Sequence, residues 1–422
     1  MTSEYFKKIE ALYEKNHRLN EFLELELEEL KKLLTLDSFN QNDIEHFKNI
    51  QHSIEHIKNN LLQSDRKNSF STIKKPISYG MLYPIKKERL FLQLITELQE
   101  ISLHYEMDIV LFPIEGINLE TQSVEGTIIS GLKVEKVITN IPKFIYNMTF
   151  HSQSSSVKKM RKLRRLENVM VINPINRFNQ SILFDMFSSL LSKDQYLLHY
   201  DVFSPKTLME FLNFYKGCLL LPEKGSAKDK VFWVNQQPEK ENHYLLSSTD
   251  RSTECSEDEL FGQIKKRIKS KKYMVIKPIS PIKWMDTPLE IRVYVQKNGD
   301  GKWSVTDMVG KSEILAKESN VKHIAEKLEW TLQEVSIQKP DNVLQDLTNL
   351  SVECCSLMDY YIPNLGTATL DFLVDQDCKP YLLYVKGWET RSYLYTASMI
   401  DWKAYLSNAF HYMYYLNNNI ED

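Results

Sequence analysis

From Leu289 to Val309 apolar and polar residues alternate on both sides of Asn298-Gly299-Asp300-Gly301. That pattern dictates a β-hairpin. A period of two faces neighbouring side chains in opposite directions, and the Asn-Gly and Asp-Gly steps supply the backbone freedom a tight turn needs. The strands are expected over Glu290 to Lys297 and Lys302 to Val309. Glu290, Arg292, Tyr294 and Gln296 then lie on one face, and Ile291, Val293 and Val295 on the other. A second pairing runs from Thr367 to Asp375 and returns from Tyr381 to Lys386 across Gln376-Asp377-Cys378-Lys379. There Asp371 stands between Leu370 and Phe372, while Tyr384 shares a face with Lys386. A charged face near the ends of antiparallel strands reads as a solvated surface or as a site, and alternation alone leaves both open.

Around these hairpins the chain reads as α+β. At 422 residues it has material for two or three domains of roughly 150 residues. Residues 1–63 carry Ile9, Leu12, Leu19, Leu23, Leu27, Leu30 and Leu34, then Ile44, Phe47, Ile50, Ile54, Ile57 and Leu61, at three- and four-residue steps. Two such stripes predict a helical hairpin or coiled coil, closed on itself, docked on the body, or used to form an oligomer. Residues 64–75 are polar and aperiodic and read as a linker. A small α/β domain is expected over 76–150, with strands at Ile77 to Tyr83 and Asp108 to Pro113 flanking a helix at Glu88 to Tyr105, then strands at Val124 to Ser130 and Phe144 to Tyr146. The remainder, 151–422, mixes helices and strands. It includes helices at Phe178 to Leu191, Pro205 to Tyr215, Lys322 to Glu334, Asn342 to Tyr360 and Ala397 to Tyr415.

Composition narrows the function classes. Hydrophobic residues at 42% and charged residues at 26% are those of a soluble globular chain. No apolar run reaches the ~18 residues of a membrane helix, and Met1 to Glu10 has no secretory core, so an intracellular protein is expected. The net charge of −3 gives no global field to gather nucleic acid. Five cysteines, Cys218, Cys255, Cys354, Cys355 and Cys378, form no CxxC and leave one over, which fits reduced thiols better than disulfides or zinc. The motifs GxSxG, HExxH, GxxxxGK[ST] and GxGxxG are absent, and the ten histidines are scattered. Two basic runs, 158–165 (KKMRKLRR) and 265–272 (KKRIKSKK), sit in helix-compatible stretches without interleaved aromatics. Solvated helix faces explain them; as binding surfaces they suit acidic proteins or cell-surface polymers better than DNA. Trp402, Tyr405, Phe410 and Tyr414 recur at roughly helical spacing and predict a buried C-terminal helix.

Four passages together carry a resemblance: Tyr79-Gly80-Met81-Leu82-Tyr83; Ile141-Pro142 to Ile145-Tyr146-Asn147; Leu289-Glu290-Ile291-Arg292-Val293 with Val295-Gln296-Lys297-Asn298 and Gly301-Lys302-Trp303; and Leu370 to Asp375 with Lys379-Pro380-Tyr381. In order and spacing they are similar to the YheC/YheD family of endospore coat-associated proteins, which carry an ATP-grasp domain. The similarity spans residue 77 to about 395 and leaves 1–63 outside. It implies two α+β subdomains that hold ATP between them and activate a carboxylate as an acyl phosphate. That chemistry calls for a lysine on the phosphates, a flexible glycine-rich loop, and carboxylates with an asparagine on Mg²⁺.

Set against that pattern, the chain departs at several positions. Leu221-Pro222 stands where the family has Lys-Pro, and the loop from Glu223 to Lys230 holds a single glycine, with Lys224, Lys228 and Lys230 as the only replacement charge. Tyr384-Val385-Lys386 replaces Glu-x-Asn, Met148 stands where arginine is usual, and Ile276-Lys277 where glutamines are common. Asp371 matches the other metal-ligand position, and Glu290 with Arg292 matches the Asp-x-Arg pair. Asp371 beside Lys386 is expected to form a fixed ion pair in the metal's place. The expectation is therefore a catalytically inactive ATP-grasp fold with no cofactor or metal, acting as a scaffold or partner-binding protein in the mother-cell cytoplasm and on the spore coat. Its partners would be other coat proteins or an active paralogue, met through residues 1–63. The alternative is an ATP-dependent carboxylate-amine ligase using Mg-ATP, the displaced lysines, and Glu290, Arg292 and Asp371.

Overall fold

The computed structural model describes residues 78–84, 94–149, 151, 153–192, 196–224, 231–248, 251–284, 287–312, 324–328, 331–332, 335, 340–387 and 402–419. The helices expected over 1–63, the linker 64–75 and the loop 225–230 lie outside the described residues. The chain divides into two compact units, Met1–Lys75 and Pro76–Asp422, and the described residues of the second hold three large sheets, a two-stranded pair and their covering helices.

The first sheet begins with a parallel β-α-β unit: β1 (Ser78–Leu82), α1 (Ile95–His104) and β2 (Asp108–Phe112). Antiparallel strands β3 (Ile117–Asn118), β4 (Ser123–Ser130) and β5 (Lys133–Asn140) extend one side. On the other, β6 (Phe144–Asn147) runs parallel to β1, and after α2 (Ser154–Leu163) β7 (Met170–Ile172) runs parallel to β6. The sheet order is β3-β4-β2-β1-β6-β7, with β5 on β4. Residue 150, the expected domain limit, thus falls within the path of a single sheet. Strand β5 is not predicted because its apolar residues are exposed or half-exposed; it is folded back at Gly131, whose φ of +58° glycine adopts at little cost.

After α3 (Gln180–Leu190), the second sheet is wholly antiparallel in the order β12-β11-β10-β9-β13-β8. It comprises β8 (Tyr200–Val202), β9 (Gly217–Pro222), β10 (Phe232–Gln236), β11 (His243–Ser247), β12 (Ser252–Ser256) and β13 (Tyr273–Ile276). Two helices cover it. The first, α4 (Pro205–Tyr215), opens on a Ser204–Thr207 capping box with proline in its first turn and closes on Lys216 in the left-handed conformation. The second, α5 (Glu257–Ile268), opens on a Ser256–Glu259 box. Leu208, Phe211, Leu212, Leu260 and Ile264 of these helices share a core with Leu220, Val234, Leu246 and Val275.

A two-residue pair, β14 (Lys283–Trp284) and β15 (Thr287–Pro288), leads into the third sheet. Here β16 (Glu290–Lys297) and β17 (Trp303–Ser312) form the expected hairpin, with a bulge at Tyr294/Val295. The sheet is completed by β18 (Ile324–Lys327), β19 (Thr367–Val374) and β20 (Pro380–Lys386) in the order β18-β17-β16-β19-β20. The helix expected over Lys322 to Glu334 is corrected at its start: Ile324–Lys327 is a strand, paired with Val309 to Ser312. Strand β17 runs three residues past Val309, and its ladder groups take up this segment despite weak strand propensity.

Ile291, Val293 and Val295 pack under α6 (Pro340–Tyr361) with Leu347, Cys354, Cys355, Leu370 and Phe372. The last helix, α7 (Trp402–Asn419), places Tyr405, Leu406, Phe410 and Met413 in one core with Tyr79, Leu98, Phe144 and Tyr294, joining the first sheet to the third. Tyr405 and Phe410 are buried as the aromatic spacing predicts, whereas Tyr414 faces outward and Tyr412 takes the inward place.

Candidate functional site

The charged face of the β16–β17 hairpin is not a solvated surface. Glu290 and Gln296 are fully buried, Arg292 and Asp371 are 1% exposed, and Lys311 is 4% exposed. Register explains how the group assembles. Arg292 lies directly across from Asp371 on β19, and Glu290 directly across from Lys311 on β17. On the far side Asp371 faces Tyr384, and Thr369 faces Lys386, with a bulge after Asp371.

Arg292 grips Asp371 with both ends of its guanidinium, Nε donating to Oδ1 at 2.7 Å and Nη2 to Oδ2 at 2.8 Å. This is the bidentate geometry that makes arginine–carboxylate pairs strong. Lys311 Nζ lies 3.1 Å from Glu290 Oε2 and 3.5 Å from Asp371 Oδ1, and Lys386 Nζ lies 3.5 Å from Asp371 Oδ2. Three cations and two carboxylates therefore share one buried site. Burial by itself would push the Asp371 carboxyl up, but Arg292, Lys311 and Lys386 together with the Arg292 hydrogen bonds hold it well below the usual carboxylate range. The Lys386 ammonium also lies over the Tyr384 ring, 5.3 Å from its centre.

Among the described residues β20 ends the sheet and Val385 has no ladder partner on its outer side, and buried backbone groups must be satisfied. Gln180, at the start of α3, supplies that partner. Its Nε2 donates to the Val385 carbonyl at 2.8 Å, and its Oε1 accepts from the Val385 amide at 2.9 Å. The Gln180 amide in turn donates to the Glu223 carbonyl at 2.8 Å, tying the end of β9 to the same point. A glutamine thus fixes the residue between Tyr384 and Lys386. Close by, the Asn176 carbonyl accepts from the Gly387 amide, and Asn173 Oδ1 accepts from the amides of Gly366 and Thr367 at 2.6 and 2.9 Å.

Leu221 is buried in an apolar cluster with Leu219, Met274, Ile276, Leu373, Leu383 and Tyr384. Side chains of the second and third sheets therefore meet where the family pattern would set a phosphate-binding lysine. Lys224 is exposed, and Lys228 and Lys230 lie outside the described residues. Met148 is buried, and Asn147 beside it donates to the Asn173 carbonyl at 2.8 Å.

The chemistry of this donor set does not suit Mg²⁺. Both Asp371 oxygens already accept from Arg292, and the neighbouring positions offer a phenol and an ammonium where hard carboxylate and carbonyl oxygens are required. Among the described residues no three His, Cys, Asp or Glu side chains come together to hold a metal ion, and no helix is long and apolar enough to cross a membrane. Of the site residues predicted from sequence, Glu290, Arg292, Asp371, Tyr384 and Lys386 converge, while Leu221 belongs to the adjoining apolar cluster. Lys311 and Gln180 were missed. Extending the period-two alternation past Val309 puts Lys311 opposite Glu290, whereas no local signal links Gln180 to Val385.

Two antiparallel sheets that share an apolar cluster, preceded by a mixed β-sheet domain, fit an ATP-grasp protein. Residues 168–416, more than half of the chain, match the family described as YheC/D like ATP-grasp, and the chain belongs to that family. No curated protein matches it. Among solved structures it is similar to the ATP-grasp ligase PsnB complexed with minimal precursor, at 11% identity and a TM-score of 0.46 over 79% of this chain and 98% of that one. It is also similar to N5-carboxyaminoimidazole synthetase from Staphylococcus aureus, at 10% identity and a TM-score of 0.47 over 82% and 79% of the two chains. D-cycloserine synthetase DcsG follows at 9% and 0.47, over 79% and 98%.

Proposed function

We propose that this chain is a catalytically silent ATP-grasp protein that works by binding other proteins, and that it serves in assembly at the spore coat after synthesis in the mother cell. One observation carries the reading: Asp371, the surviving metal-ligand position, is saturated by Arg292 and flanked by Lys311 and Lys386. A fixed charge network there supplies in the folded chain what Mg²⁺ supplies in a ligase, so the site holds its shape without metal or nucleotide. The coat association follows from the family resemblance. Its proposed partners are coat proteins or an active paralogue, with residues 1–63 as the first candidate contact.

Isothermal titration of Mg²⁺ into the full chain, with and without ADP, tests the silent site. No heat of binding at millimolar Mg²⁺ is expected, and a stoichiometric site would restore the alternative, an ATP-dependent carboxylate-amine ligase. Deleting residues 1–63 tests the assembly role. Loss of localisation with an unchanged melting profile of the body is expected, and normal localisation would refute it.

A further inference from the structure

Two basic runs stand out in the sequence, and the structure separates them. The run 265–272 closes α5, whose first turn carries Glu257, Asp258 and Glu259. Acids at the start and cations at the end match the helix macrodipole, and Arg267 is spent on the Leu246 carbonyl and the Thr253 hydroxyl at 3.3 and 2.6 Å. That run is accounted for by its own helix.

The run 158–165 is different. Helix α2 has no acid in its first turn, and Met160 and Leu163 are its buried side chains. Lys158, Arg161 and Lys162 lie on the helix face opposite those buried side chains, Arg165 follows at i+7 in the turn after Leu163, and all four are exposed. At 1.5 Å per residue Lys158 to Lys162 span about 6 Å of helix, and Arg165 continues the basic patch into the turn. Among the described residues none of the four has a hydrogen bond or ion pair through its side chain. Lys159, by contrast, donates to the Glu115 carbonyl at 3.0 Å.

We propose that this stripe is a docking surface for an acidic helical segment of a partner protein. Carboxylates at the same i, i+3, i+4, i+7 spacing would meet the four cations one for one. Duplex DNA fits less well, because the chain's net charge of −3 supplies no field to gather it, and no aromatic interleaves the run to stack on bases. A membrane surface fits less well too, since the outward face offers no apolar side chain to insert. The proposal deepens the partner-binding reading and is independent of the metal argument. A Mg²⁺ site found at Asp371 would overturn that argument and leave the stripe in place.

The test titrates the full chain into a fluorescein-labelled, alanine-based helical peptide with glutamates at i, i+3, i+4, i+7, followed by anisotropy at low and physiological salt. Binding that weakens with salt is expected. The K158Q/R161Q/K162Q/R165Q variant should lose about tenfold or more in affinity, and K265Q/K266Q/K269Q/K272Q should bind as the unaltered chain does. Should the quadruple variant melt differently, Lys162→Gln and Arg165→Gln singly should each cost about two- to fivefold. Failure of the peptide to bind, equal loss in both quadruple variants, or tighter binding of a DNA duplex or of anionic phosphatidylserine vesicles would each overturn the proposal.

Discussion

Replacing Asp371 with asparagine keeps the side chain's shape and removes one negative charge from a site that also holds Arg292, Lys311 and Lys386. Asp371 is 1% exposed, and its Arg292 partner equally so, so water cannot take its place. The replacement leaves Glu290 as the single carboxylate against three cations within the cluster. Removing one partner of a buried, hydrogen-bonded pair costs about 3–5 kcal/mol, most of it the desolvation of the charges left behind. With an unfolding entropy of roughly 0.7 kcal/mol per degree for a unit spanning residues 76–422, that corresponds to a fall of about 4–7 °C in Tm.

The pH dependence follows from the same contacts. The folded Asp371 carboxyl is held well below its usual range, so its contribution is present above the unfolded value of about 4 and is lost as pH falls below it. The stability gap between the unaltered chain and D371N should be level from pH 7 to about pH 5 and narrow below about pH 4. Urea unfolding at stepped pH in metal-free buffer measures both. A loss under about 1 kcal/mol, or a gain, would refute the reasoning, because an aspartate kept as an empty metal ligand would cost little to neutralise.

Further outcomes follow from other contacts. Rebuilding the family's ligands with Y384E/K386N should create Mg²⁺-dependent stabilisation that the unaltered chain lacks, read as a Tm shift on adding millimolar Mg²⁺. Asn173, at a φ of +54°, accepts from two buried amides, and N173A should cost about 2–5 kcal/mol by leaving both orphaned, measurable in urea. Cys218, Cys255, Cys354 and Cys355 are buried and Cys378 is half-exposed, and burial pushes the Cys354 and Cys355 thiols up. N-ethylmaleimide should therefore modify Cys378 first in the native protein, and the other four only on unfolding.

Much of the third sheet was legible because its signals are local. Alternation around Asn298-Gly299 placed β16 to the residue and β17 short of its last three residues, and the Asp371–Lys386 ion pair followed from reading β19 and β20 as one hairpin. What the alternation cannot convey is what covers a face. Burial of Glu290, Arg292 and Asp371 depends on elements remote in sequence, so a charged face that alternation leaves open between surface and site proves to be enclosed. Gln180 illustrates the same limit: it binds Val385 across 205 residues, a pairing without periodicity or motif. At β18 the local helix pattern gave way to the ladder groups of β17, as tertiary pairing commonly outweighs propensity in short segments.

The central claim is that a fixed charge cluster has displaced Mg²⁺ and nucleotide from this ATP-grasp site. Its most direct test is thermal unfolding of the full chain with and without millimolar Mg²⁺-ATP, with Y384E/K386N run alongside. A ligand at about 100 times its Kd adds roughly 2.7 kcal/mol of stability. No shift in the unaltered chain, with cooperative melting throughout, is the predicted result. An upward shift of about 4 °C that vanishes in D371N would contradict it and mark Asp371 as a working metal ligand.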